Sequence, residues 1–202
     1  MSIPVKFTGD LAELPTHAYG HRSLTWWGVV SFFLIEGTAF ALAVTAYFYL
    51  RSKAASWPPN VAPPDLFWGT LNTAILLASC LPNHWTKRAA EAEDIRGVRI
   101  WLVVCLAFGL AFNAVRGLEY TALNVGWDTN AYGSIVWCLL FLHTLHVGTD
   151  VADTAVLAAL MFTRHGRGKR FVDAGENAFY WYFVVLSWLP IYAVIYLAPR
   201  IL

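Results

Sequence analysis

Trp26-Trp27-Gly28-Val29-Val30-Ser31-Phe32-Phe33-Leu34-Ile35-Glu36-Gly37 opens an apolar run that continues from Leu24 to Leu50, with no Lys or Arg between Arg22 and Arg51. A run of this length exceeds the roughly 20 helical residues needed to cross about 30 Å of hydrocarbon. Its apolar residues are continuous and do not alternate with period two, which points to a helix and away from a barrel strand. Glu36 sits at its middle. An ionised side chain at a bilayer centre costs about 2.5–3.5 kcal/mol on insertion scales, so Glu36 is a functional-site candidate by default.

Four further segments share this character. Together they predict an all-α integral membrane protein, a bundle of five transmembrane helices near 24–50, 66–84, 98–120, 132–162 and 178–198. The gaps carry the breakers: Trp57-Pro58-Pro59-Asn60 with Pro63-Pro64, Pro82-Asn83, Asn124-Val125-Gly126 and Gly166-Arg167-Gly168. Residues 1–23 read as a polar cytoplasmic segment and 24–202 as a single membrane domain. No secretory signal is expected in front, because residues 1–23 are polar and the first apolar run is longer than an h-region of about 7–15 residues. Composition agrees: 58% of the 202 residues are hydrophobic and 13% charged, against about 25% charged in a soluble domain. A net charge of +1 says nothing about acidic partners, but nothing resembles a nucleic-acid patch, so no nucleic-acid partner is expected.

Lys and Arg set the orientation. Lys6, Arg22, Lys87, Arg88, Arg96, Arg99, Arg164, Arg167, Lys169 and Arg170 fall on one side, and Arg51, Lys53 and Arg200 on the other. This predicts a cytoplasmic N-terminus and an external C-terminus, and for a bacterial chain an inner-membrane location. Trp26, Trp27, Trp57, Trp85, Trp101 and Trp127 lie near predicted helix ends, as interfacial tryptophans do. Cys80, Cys105 and Cys138 lie within apolar segments without CxxC spacing and read as buried small hydrophobes.

The fourth segment carries the richest polar pattern. His143, His146, Asp150 and Asp153 are spaced three, four and three apart, forming one stripe down a helical face. At 1.5 Å per residue the stripe is about 15 Å long, and it must face protein or water. Three uses fit it: a polar seam that joins helices, proton handling together with Glu36, or a metal site using His-x-x-His. A catalytic metal wants more nitrogen ligands at one depth, whereas His17, His21, His84 and His165 fall in loops or at helix ends. No metal ligand is therefore assigned. Glu36 and the His143/His146 pair share a predicted depth, so they can meet between the first and fourth helices. Arg116 and Glu119, three residues apart, read as a local ion pair near the end of the third helix.

These residues resemble subunit III of the haem–copper respiratory oxidases, of the cytochrome c oxidase type, in a short five-helix form. The resemblance rests on Glu36 in a Trp- and Phe-rich helix ending in Tyr47-Phe48-Tyr49-Leu50-Arg51. It continues through Leu71-Asn72-Thr73 with Ile75-Leu76-Leu77-Ala78-Ser79, Glu119-Tyr120, Ala131-Tyr132-Gly133-Ser134 and His143-Thr144-Leu145-His146-Val147. It ends on Tyr180-Trp181, Phe183-Val184 and Trp188. The chain is similar to the last five of the family's usual seven helices. It departs at Ile35, where serine is usual, at Tyr182 and Val185 in place of histidine and aspartate, at Arg116 for glutamine, and at Thr144 for glycine.

The resemblance implies a non-catalytic subunit III of a proton-pumping terminal oxidase reducing oxygen to water. Such a chain carries no cofactor of its own, haem and copper belonging to subunits I and II. It packs on subunit I, binds phospholipid in a cleft and supports proton uptake. Glu36, His143 and His146 take the positions of the family's intramembrane glutamate and paired histidines, with Asp150 and Asp153 as further proton-handling candidates. Without the first two helices, lipid or another subunit is expected to cover the first helix. Two alternatives remain open: an accessory subunit of a nitric oxide reductase, and an independent membrane metalloenzyme using Glu36, His143 and His146.

Overall fold

A computed structural model describes residues 18–59, 61–164, 166 and 168–201. Lys6, His17, His165, Arg167 and most of the predicted N-terminal segment lie outside the described residues. The described chain is helical: α1 Leu24–Lys53, α2 Leu66–Glu91, α3 Ile95–Thr121, α4 Ala131–Met161, α5 Lys169–Tyr192, and, after a π-helical turn over Ala193–Leu197, the short α6 Ala198–Ile201. Among the described residues, four helical stretches are long and apolar enough to cross a membrane: Leu24–Lys53, Ile95–Thr121, Ala131–Met161 and Lys169–Ile201. This is a multi-pass membrane protein.

Polar side chains fix where the helices begin. The Asp65 carboxylate accepts from the Phe67 N–H, Asp94 from Arg96 and Asn130 from Gly133, each satisfying a backbone donor of the first turn. Gly168, at φ 55°, starts α5 from a conformation that glycine adopts without penalty. The helices outrun the apolar segments. α2 continues through Lys87 and Arg88 to Glu91, and α5 starts at Lys169 and not near 178, because apolarity marks the part in hydrocarbon and the hydrogen-bond ladder continues into the polar margin.

Helices α2, α3, α4 and α5 form a closed ring in which α2 packs on α3, α3 on α4, α4 on α5 and α5 back on α2. Inside the ring, Leu76, Phe112, Leu139, Leu140, Val184, Trp188 and Tyr196 make one buried cluster. Indole N–H groups stitch its seam: Trp181 donates to Ser79 Oγ and Trp188 to Thr73 Oγ1, both at 2.8 Å. Asn83 adds a bond from its amide to the Ala178 carbonyl at 2.8 Å. Asn72, Ser79, Asn83 and Thr86 of α2 are thus buried in the bundle, whereas Thr70 and His84 are exposed. α1 lies outside the ring, in the groove between α4 and α5. Of the cysteines, Cys80 and Cys105 are half-buried and Cys138 is exposed; the buried reading fails for Cys138, whose face of α4 points out of the bundle.

Candidate functional site

The groove that seats α1 holds the polar centre. On α1, Phe33 and Phe40 face inward: Phe33 stacks on Phe183 at 4.7 Å and packs on Phe179 at 4.9 Å. Phe40 lies 4.9 Å from the His146 ring. Glu36, one helical turn from each of them, is therefore carried to the same interface. Its Oε2 accepts a hydrogen bond from the Tyr180 hydroxyl at 2.7 Å, and its Oε1 lies 3.5 Å from His146 Nε2. Three helices thus converge on one carboxylate.

His146 has a fixed orientation. Its Nδ1 lies 2.6 Å from the Leu142 carbonyl, one turn back on α4. A carbonyl oxygen only accepts, so Nδ1 carries a hydrogen and Nε2 is the atom turned to Glu36. The same logic applies to His143, whose Nε2 lies 3.0 Å from the Val184 carbonyl of α5. His143 is fully buried, packed on Phe112 and Trp188, and its Nδ1 has no hydrogen-bond partner. The structure brings Glu36 to His146 and leaves His143 bonded to α5.

Below this pair, α1, α4 and α5 enclose a cleft of about 690 Å³. Asp150, buried on α4, accepts at Oδ1 from Asn177 Nδ2 at 3.0 Å. The same amide reaches the exposed Asp153 at 3.3 Å, and the Thr154 hydroxyl donates to Asn177 Oδ1 at 3.2 Å. Asp150 Oδ2 and Glu176 Oε2 are buried without a partner. Five carboxyl groups line the cleft, Glu36, Asp150, Asp153, Asp173 and Glu176, against one guanidinium, Arg170. That guanidinium is held by Asp173 at 2.7 Å, so the remaining lining favours protons and cationic groups over anions. The stripe of the fourth helix divides its work: His143 and Asp150 tie α4 to α5, His146 meets α1, and Asp153 opens to the cleft.

Arg116 and Glu119 form a 3.1 Å ion pair, both about 1% exposed. Glu119 also accepts from Asn72 of α2 and from the Tyr196 hydroxyl on the π turn, and Arg116 lies over the Trp188 and Phe112 rings at 4.1 and 4.8 Å. The pair is the hub of the ring interior and not a device confined to one helix end. Tyr180, Asn177, Asn72 and Tyr196 complete these two centres and are not among the site candidates offered by the sequence. Asn177, Tyr180 and Val184 recur at helical spacing along one face of α5, and that spacing was the signal available. No group of three or more His, Cys, Asp or Glu side chains placed to hold a metal occurs among the described residues.

Residues 14–199 match the family described as cytochrome c oxidase subunit III. The chain is 28% identical over 187 residues to cytochrome c oxidase subunit 3 of Thermostichus vulcanus, covering 91% of this chain and 92% of that one. It is 32% identical over 185 residues to cytochrome c oxidase subunit 3 of Synechocystis sp., covering 89% and 78%. To the probable cytochrome c oxidase subunit 3 of Mycobacterium bovis it is 30% identical over 207 residues, covering 97% and 98%. With the polar centre built on the motifs quoted from the sequence, and a match over most of the length, the chain belongs to the cytochrome c oxidase subunit III family.

Proposed function

We propose that this chain is the non-catalytic subunit III of a proton-pumping terminal oxidase that reduces oxygen to water. It packs on the catalytic subunit I beside subunit II, binds phospholipid and supports proton uptake from the cytoplasm. Haem and copper belong to those partners. The complex resides in a bacterial inner membrane, with the N-terminus of this chain cytoplasmic and the C-terminus outside. In this reading the spanning helices number five, with α2 counted beside the four apolar spans: it is 26 residues long, about 39 Å at 1.5 Å per residue. α2 also packs between α3 and α5 and buries Asn72, Ser79, Asn83 and Thr86 against them.

One observation carries the proton role. Glu36 is held by Tyr180 and His146 beside a cleft lined by further carboxyl groups, an arrangement that retains a protonatable group within reach of others. The Glu36→Gln complex should assemble normally yet lose activity over repeated turnovers severalfold faster than wild type, with slower proton uptake. Wild-type uptake and survival in that variant would leave Glu36 a structural role only. The Arg116–Glu119 pair is assigned the structural role, with Glu36, His143, His146, Asp150 and Asp153 on the proton-handling side.

A further inference from the structure

The N-terminal half of α1 forms a wall of the cleft while burying little of itself. Phe40 and Tyr47 are the buried residues of α1, and both lie beyond Glu36, so residues 24–37 contain none. Yet Thr25, Val29, Phe32 and Glu36 line the cleft, spaced four, three and four along one helical face. The other walls belong to α4 and α5, which are fixed in the ring. The width of the cleft therefore follows the seat of a half-helix that few contacts of its own hold in place.

Residues 19–23 supply a further attachment. The Tyr19 hydroxyl donates to the Ala90 carbonyl at the C-terminal end of α2 at 3.1 Å, across 71 positions of sequence. Its ring packs against the buried cluster of Ala90, Val98, Leu102, Met161 and Phe171, which joins the ends of α2, α3, α4 and α5 on that side. From there the chain passes through a single turn, Gly20–Arg22, and enters α1 at Leu24. Two bonds stiffen the turn: the Ser23 N–H donates to the Gly20 carbonyl at 2.8 Å, and Trp27 Nε1 to the His21 carbonyl at 3.0 Å. Gly20, at φ 62°, takes a conformation that side chains disfavour. Burial, with Glu93 and Glu91 nearby, raises the Tyr19 hydroxyl above its ordinary pKa, so it stays protonated and donating.

A second bridge lies deeper. Trp26 of α1 stacks on Phe179 of α5 at 5.9 Å, and the Lys87 ammonium of α2 lies 5.8 Å from the centroid of the same ring, within cation–π range. Both bridges tie α1 to α2, itself packed on α3 and α5.

We propose that residues 19–23 are a strap, buckled at Tyr19, that sets the seat of α1 and with it the width of the cleft. With the buckle closed, α1 is a fixed wall. With it open, the N-terminal half of α1 leaves its aromatic contacts on α5 and the cleft widens. Glu36 moves with that wall, so Tyr19 is a positioning residue that acts through α1. The strap concerns where α1 sits, and it holds whether or not Glu36 handles protons.

Hydrogen–deuterium exchange on the full chain in its detergent-solubilised complex tests the strap. Tyr19→Ala removes ring and hydroxyl, and should speed uptake over residues 24–37 severalfold while leaving 131–161 unchanged. Tyr19→Phe keeps the ring on the buried cluster and loses the bond to Ala90, so it should recover part of the protection in the same segment. Wild-type uptake over 24–37 in Tyr19→Ala would overturn the strap, as would equal acceleration in all helices. The cleft is read separately, from the distance between spin labels on Ser31→Cys of α1 and Ala159→Cys of α4, both exposed positions, with Cys80, Cys105 and Cys138 replaced by alanine. One narrow distance is expected with Tyr19 in place, and a longer, broader distribution in Tyr19→Ala. An unchanged distribution would overturn control of the cleft by the strap.

Discussion

Glu119 accepts hydrogen bonds from Arg116, Asn72 and Tyr196, every one of them buried. Among the described residues Arg116 has no other carboxylate partner, and its Nε and Nη2 make no hydrogen bond, so its charge is balanced by Glu119 and by the faces of Trp188 and Phe112. Breaking a buried pair by removing one partner costs about 3–5 kcal/mol, whereas replacing both with apolar groups is often neutral. Glu119→Ala should therefore lower the unfolding midpoint in detergent by an amount corresponding to about 3–5 kcal/mol. Adding Arg116→Met should restore most of it; a double variant no more stable than Glu119→Ala would show that Arg116 is satisfied without Glu119. The spacing of Arg116 and Glu119 made their pairing legible in the sequence. Their other partners were not, because Asn72 and Tyr196 lie 47 and 77 residues from Glu119, and no local pattern links them.

Contact between helices depends on where side chains are missing. At Gly109 of α3, an added Cβ would strike Val151 Cγ2 of α4 and touch the Trp181 ring; small residues of this kind let membrane helices approach closely. Gly109→Ala should destabilise the bundle by about 1–3 kcal/mol through overpacking. Val151→Ala removes the offending methyl, so the double variant should recover part of the loss in a thermal-melting cycle. Strictly additive losses would place the effect outside the α3–α4 contact. The order of the five long helices could be read from apolar runs and breakers, but helix ends could not, since α5 begins in the charged stretch Lys169-Arg170. The π turn over Ala193–Leu197 that delivers Tyr196 to Glu119 has no composition signal. Pro190 precedes it and removes a backbone donor, but that alone does not specify a π turn.

Across the whole molecule, the peripheral seat of α1 separates the chemistry from the core. Only 6% of its spanning window is buried, against 44% for α4 and 50% for the last span. Leu34, Ile35 and Leu42 therefore point out of the bundle, the surface expected to meet lipid or subunit I. Phe33 is the clamp on the other face, and an aromatic pair contributes about 0.5–1.5 kcal/mol beyond its area. Phe33→Ala should loosen α1, seen as faster deuterium uptake across residues 24–53 with the α2–α5 ring unaffected; uniform acceleration in all helices would contradict a peripheral α1. That Glu36 could meet the His143/His146 pair was legible from matched depth, but that only His146 reaches it, the closure of α2 on α5 and the partnership of Asp150 with Asn177 were not, because all depend on which face of a helix meets which. The central claim, that this chain serves a haem–copper oxidase and has no active site of its own, is tested most directly by solubilising native membranes in mild detergent and capturing the chain. The account predicts stoichiometric recovery of a subunit carrying haem and copper, with no metal in this chain after it is separated. A chain recovered alone with stoichiometric iron or copper, or bound to a copper-free reductase, would contradict it.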